Sequence, residues 1–218
     1  MQNNNNKRKV FWGLCVGSLL ALVSYGVVAF TSATTAPIVE KEKRVHSMRH
    51  LLVLPPKELA PFEFKTQQGE VFTNQSLRGR WHFLTFGYSA CPDTCPMTWA
   101  TMKRVASQLE EAGIDDFRVA MISVDPERDK LGKLVPFDDV HFIGLIGTDQ
   151  VTKGLAEQLG VAYSPVKTAS QSSDEGYTVD HSGAVFLINP EGQVRALLRI
   201  PGSAEAIVAD VIELYHAS

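Results

Sequence analysis

A chain of 218 residues, 44% hydrophobic and 21% charged, is long enough for one well-cored domain plus an appendage and short for two. Its formal net charge is −3, and without Lys7, Arg8 and Lys9 the remainder carries 18 basic against 24 acidic residues. That balance offers no basic stripe for nucleic acid, and three cysteines are too few for a disulfide-stapled secreted scaffold.

Residues 1–9 form a basic tail, and residues 10–30, "VFWGLCVGSLLALVSYGVVAF", are uncharged throughout. About 20 apolar residues cross the hydrocarbon core as a helix, so 10–30 is read as a single transmembrane anchor. The competing reading is a cleaved signal peptide, whose apolar core runs only ~7–15 residues. The positive-inside rule keeps the basic tail on the cytoplasmic or matrix side. The rest is thereby sent to the exported side, a bacterial periplasm or a mitochondrial intermembrane space. Cys15 lies within the anchor as a small hydrophobe. Residues 31–60 change character repeatedly and read as a tether ended by Pro55 and Pro56, with the domain proper over 61–218.

In that domain "PFEFKTQQGEVFTNQSLRG" alternates about a Gln-Gly turn and predicts a hairpin, and "WHFLTFGY" follows as a strand. From Pro96, apolar Trp99, Met102, Val105, Ala106 and Leu109 recur at helical spacing until Gly113. "FRVAMISVD" and "HFIGLIG" read as strands buried on both faces. "TDQVTKGLAEQLG" has a cap at one end and glycine at the other, which predicts a helix. "GAVFLINPEGQVRALLRI" reads as two strands about a Pro-Glu-Gly turn, and Ser203 caps a last helix with Ile207, Val208, Val211 and Tyr215 on its apolar face. The order is hairpin, β-α-β, β-α, β-β-α, an α/β fold with a mixed central sheet and helices on both faces.

The exported cysteines are Cys91 and Cys95 in "FGYSACPDTCPMTW", where the first central strand hands over to its helix. The carboxyl end of a strand is where α/β proteins place their sites. Free N–H groups at a helix start favour thiolates there, and Pro92 and Pro96 suit a rigid loop and helix start. Three intervening residues leave three readings open: a disulfide, a redox-active dithiol, or half of a site for a soft metal ion. Among the histidines, His46 and His50 read as a solvated face of the tether. His82 and His141 lie in or beside strands, and His216 lies at a frayed end. His181 in "GYTVDHSGAVFLI" stands just ahead of a buried strand, where a loop can fold back over the cysteines.

The motifs "CPDTCP", "SVDPERD", "GLIGT", "YSP" and "YTVDHS", in that order, closely resemble the SCO/SenC family from about Pro61 to the end. The resemblance implies a membrane-tethered, thioredoxin-like copper protein, a metallochaperone that helps assemble the binuclear copper centre of cytochrome c oxidase. It makes Cys91 and Cys95 the thiolate ligands and His181 the imidazole ligand. Two thiolates and an imidazole suit Cu(I) and accept Cu(II). Asp125 of "SVDPERD" matches a family carboxylate near the metal, an additional ligand or alternatively an acid capping the Pro126 turn. Asp180 is read as orienting His181. The implied partners are the copper-receiving oxidase subunit, a copper-donor chaperone and the membrane.

Two features depart from the family: Ser89-Ala90 stands where a Thr-His pair is common, and "KLGKLVPFDDVHF" holds Gly132 and Pro136 where a helix is usual. The alternative functions are a thiol–disulfide oxidoreductase that reduces the receiver's cysteines, needing no His181, and a copper or redox sensor.

Overall fold

The computed structural model describes residues 50–91, 94–129, 134, 139–167, 177–198, 200 and 202–217. The tail, the anchor at 10–30, Cys15 and His46 lie outside them, as does most of the segment from Lys130 to Asp138. Among the described residues no helix is long and apolar enough to cross a membrane.

Eight strands form one mixed sheet in the order β1-β10-β9-β4-β5-β6-β2-β3. Its centre is β4 (Trp81–Gly87), buried at every position, and it runs parallel to β5 (Phe117–Ser123), which runs parallel to β6 (Phe142–Ile146). On the far side of β4, β9 (Val185–Ile188) pairs antiparallel with it and with β10 (Gln193–Leu198). The predicted N-terminal hairpin is β2 (Glu63–Thr66) with β3 (Val71–Thr73), joined to the sheet through β6.

Alternation along the central strands divides the core into two layers. Leu84, Phe86, Tyr88, Ala120, Ile122 and Val124 face a cluster that includes Leu155 and Ala156 of α2 (Asp149–Leu159). Thr148 caps that helix, and Gly160 closes it in the left-handed region at φ 68°. The opposite side takes α1 (Thr94–Glu111), whose Trp99 ring meets Phe142 at 5.5 Å between centroids. On this side α3 (Ala204–Ala217) packs with α1, joined at the rim by Arg104 to Glu205 at 2.8 Å. The expected mixed sheet covered on both faces is therefore present.

Four sequence expectations change. The tether does not extend to residue 60, because β1 (Leu51–Glu58) pairs antiparallel with β10 as an edge strand. Pro55 and Pro56 lie inside it, where the register shifts between Val53 and Lys57; an edge strand tolerates residues that cannot donate to a ladder. Helix α1 begins at Thr94, two residues before the helical pattern read from Pro96, and Cys95 stands in its first turn as expected. On α3 it is Leu214 that is buried, whereas Tyr215 is exposed and its ring lies 6.2 Å from that of Trp81. A two-stranded ribbon, β7 (Tyr163–Lys167) with β8 (Tyr177–His181), was not foreseen, and it forms a separate sheet.

Candidate metal centre

The site forms where β4 ends. The chain leaves Gly87, passes Tyr88 and Ser89, and returns through Cys91, whose N–H donates to the Tyr88 carbonyl at 3.3 Å. Helix α1 then presents Cys95, which is buried, and its backbone N–H donates to Cys91 Sγ at 3.3 Å. A helix start has N–H groups without intrahelical partners, and here one of them is spent on sulfur. Gly87 makes the approach possible. A Cβ on it would lie 2.9 Å from Cys95 Sγ and 2.8 Å from Met121 Cε, so only the absence of a side chain lets the thiol lie over the strand end.

His181 arrives from the last position of β8, paired with Tyr163. Its Nε2 lies 3.3 Å from Cys95 Sγ and 3.7 Å from Cys91 Sγ. Nδ1 lies 3.2 Å from the Ser182 carbonyl, which can only accept, so the Nδ1 proton donates there and the Nε2 lone pair faces the sulfurs. The Tyr88 ring meets the imidazole edge-on at 5.9 Å. One donor atom from each of Cys91, Cys95 and His181 falls within 4.8 Å of the others, and among the described residues no other trio of His, Cys, Asp or Glu side chains does this.

The electrostatics keep the metal-free site uncharged at Cys95 and His181. Burial pushes the Cys95 thiol up to about 12, reinforced by its hydrogen bond to Cys91 and by the nearby Cys91 and Asp129 charges; a backbone hydrogen bond from Tyr88 works the other way. Burial lowers the His181 pKa, opposed by the Ser182 carbonyl and the Asp180 charge. Both cysteines are free, not joined as a disulfide. Two sulfurs and one imidazole are a soft-to-borderline set that fits a three-coordinate Cu(I), whereas a structural zinc site takes four donors.

Neither predicted carboxylate is part of the donor trio. Asp125, 4% exposed, is outside the donor trio: it pairs with Arg128 Nε and accepts from the Tyr177 hydroxyl at 3.0 Å. Its carboxylate also accepts from the Arg128 backbone N–H at 3.5 Å across the Pro126 turn, in line with the turn-capping alternative, and its own N–H donates to Ser123 Oγ at 3.1 Å. Asp180 is exposed, and the imidazole is oriented by the Ser182 carbonyl instead. The remaining described histidines lie elsewhere. His82 is fully buried with Nδ1 toward the Arg80 carbonyl, and His141 stacks on Phe117 while its Nε2 pairs with Glu110 at 2.8 Å. His50 is at the start of β1, and His216 is in the last turn of α3.

Residues that sequence reasoning passed over surround the trio. Asp129, 3% exposed, accepts from the Ser89 N–H at 2.9 Å, from the Ser89 hydroxyl, and from the Ser123 hydroxyl at 2.6 Å. It ties the loop before Cys91 to the end of β5. The Arg128 guanidinium lies over the rings of Tyr177 (3.8 Å) and Tyr88 (5.3 Å). The available signal was the cluster of charge in "SVDPERD", read only for its first acid. The missing Thr-His pair before Cys91 leaves Ser89, whose hydroxyl is engaged by Asp129.

Residues 54–216 match the SCO1/SenC family model. The chain is 33% identical over 156 residues to a Stutzerimonas stutzeri protein named for copper binding, across 70% of this chain and 74% of that one. It is 32% identical over 158 residues to the human mitochondrial protein SCO1 homolog, across 71% of this chain and 52% of the human protein, so the match spans about half of that relative. Arabidopsis thaliana ScoI with copper bound superposes with a TM-score of 0.65 at 28% identity, covering 72% of this chain and 98% of that one. Yeast Sco1 with copper bound does so with 0.64 at 26%, covering 75% and 91%. With the family model spanning the whole sheet beyond the first half of its edge strand, the chain belongs to the SCO1/SenC family.

Proposed function

We propose that this protein binds copper through Cys91 Sγ, Cys95 Sγ and His181 Nε2, and delivers it to the binuclear copper centre of cytochrome c oxidase during assembly. The observation that carries the reading is the convergence of those three atoms within 4.8 Å. The copper-bound relatives of like fold support it. The oxidase subunit as receiver, a donor chaperone upstream, and an exported domain tethered by residues 10–30 follow from the family resemblance and the charge pattern of the N-terminus. Three donors leave the ion coordinatively open, which suits an ion that must be handed on.

The test is anaerobic Cu(I) and Cu(II) titration of the reduced protein. About one copper per chain is expected, with sulfur and nitrogen both visible in the Cu(II) spectrum, and loss of tight binding on substitution of any of the three residues by Ala. Reduced protein that stays copper-free after Cu(I) loading would end the reading.

A second reading rests on the free, adjacent cysteines, of which Cys91 is half-buried and accessible. The pair would pass two electrons and two protons to a receiver disulfide, closing its own disulfide as the receiver's opens. That chemistry does not need His181. A His181→Ala variant that loses copper but retains full assembly activity in cells would favour it.

A further inference from the structure

The ribbon that carries His181 makes no backbone ladder with the main sheet. The short link from His181 to β9 ties one end of the ribbon, and the rest is held over the cysteines by a set of side chains. Arg128 Nη1 donates to the Tyr177 carbonyl at 3.0 Å, at the first residue of β8. Its Nε pairs with Asp125, which also accepts from the Tyr177 hydroxyl. The guanidinium face covers the Tyr177 ring on the ribbon and the Tyr88 ring on the β4 extension. Tyr88 completes the path: its hydroxyl accepts from the Val179 N–H at 3.1 Å, in the middle of β8, and its ring abuts His181. Val179 itself is buried against the core cluster.

We propose that Asp125, Arg128 and Tyr88 form a latch that pins the β7–β8 ribbon, and with it His181, over the cysteine pair. Asp125 then acts on a bound ion through the position of the imidazole and not as a donor atom. In its bearing on copper this rests on the function proposed above. The latch itself is a property of the metal-free protein. Arg128 is the hinge of the arrangement, since it touches Asp125, the Tyr88 ring and the ribbon together. A charge-assisted hydrogen bond is stronger than a neutral one, and stacking a guanidinium on two rings adds specificity that Lys would not reproduce.

The test uses the full-length chain in detergent, reduced and copper-free, carrying Arg128→Gln or Tyr177→Phe; the latter removes only the hydroxyl bond to Asp125. Amide hydrogen exchange is read at residues 178–181 against β4, β5 and β9. In Arg128→Gln the ribbon amides should exchange about tenfold faster, the weight of one charge-assisted bond, with the sheet unchanged. Tyr177→Phe should act in the same direction by about threefold. Unchanged ribbon exchange in both variants overturns the latch, as does acceleration spread evenly over the sheet without a ribbon-specific effect in Tyr177→Phe.

Copper titration then separates the two proposals. Arg128→Gln should weaken Cu(I) binding about tenfold in the wild-type background and not at all in a His181→Ala background. A further tenfold loss in that double variant would show an effect that does not pass through the histidine, and would overturn the latch. Wild-type protein that takes up no copper removes the function proposed above, while the exchange data still decide the latch.

Discussion

Gly87→Ala is the change that most directly tests how Cys95 is placed. Gly87 is not among the glycines with positive φ, so alanine meets no backbone objection there, and the consequence is steric. The new Cβ would stand 2.9 Å from Cys95 Sγ, 2.8 Å from Met121 Cε and 3.0 Å from Met121 Sδ. Comfortable contact begins near about 3.5 Å, so the sulfur must retreat by roughly 0.6 Å. Neither neighbour has open space: Cys95 is 4% and Met121 1% exposed. A bound ion tolerates misplacement of a donor by only about 0.5 Å, so the expected loss in Cu(I) affinity is about tenfold to a hundredfold.

Overpacking of this kind costs about 1–3 kcal/mol, and for a domain of this size each kcal/mol lowers Tm by roughly 2–4 °C. The assay pairs Cu(I) competition against a chelator with thermal unfolding of the metal-free protein. A variant that melts earlier yet binds Cu(I) with wild-type affinity would mean that Met121 alone yields. In that case Gly87 does not position the sulfur, and the reasoning fails.

Gly154→Ala is the matched control: Gly154 lies within α2, a Cβ there meets nothing within 4 Å, and replacing a helical glycine should stabilise the protein by about 1 kcal/mol without altering copper binding. Burial pushes His82 down to about 4 from 6.5, helped by the Arg118 and Arg80 charges and opposed by the Arg80 carbonyl. Because the folded-state pKa is depressed, the stability is complete above pH 6.5 and is lost as pH falls toward about 4, by up to about 3 kcal/mol. The urea midpoint of wild type should therefore fall relative to that of His82→Leu as pH drops through that window, and parallel curves would refute it. Cys95 holds its proton well above neutrality, so Cu(I) must displace that proton to bind, and apparent affinity should rise by at least about tenfold per pH unit from about pH 6.5 to 8.5. A flat profile in the chelator competition would show that Cys95 is not a ligand.

The sequence disclosed what local chemistry dictates. Runs such as "FRVAMIS" are buried nearly throughout in β5, and the helical spacing of Trp99, Met102, Val105 and Leu109 is the buried face of α1. The cysteine spacing placed both sulfurs at one helix mouth, and the family motifs singled out His181. What escaped reading depends on contacts remote along the chain. Whether Leu51–Glu58 is tether or strand is decided by pairing with Gln193–Leu198, and its two prolines argue for the wrong answer unless the strand is known to be an edge. The β7–β8 ribbon has an aromatic residue and two β-branched ones in "YTV", but its two arms are short and local pattern does not join them. From its motif alone Asp125 reads equally as a ligand or as an acid capping the Pro126 turn. Its commitment to Arg128 and Tyr177 shows only when a residue 52 positions away is brought beside it.

The two halves of the site are held by different kinds of force, and that difference bears on how an ion would leave. The cysteines belong to backbone: β4 is paired on both sides, and α1 starts from it within a few residues. Moving them means breaking ladder hydrogen bonds in the most buried part of the sheet. His181 is 86 positions from Cys95 and reaches it on a ribbon that shares no ladder with the sheet, fastened by side chains and by the short link from His181 to β9. Opening that fastening costs a few polar contacts and one ring stack, far less than distorting the sheet. On the copper-delivery reading, the imidazole is therefore the first donor to go, leaving a two-sulfur ion open to a receiver's own ligands. The order can be observed: during transfer to a dithiol acceptor, the nitrogen contribution to the metal spectrum should fall before the sulfur contribution does. Simultaneous loss of both would mean that the ribbon and the cysteine loop move as one body, contrary to the separate sheets that carry them.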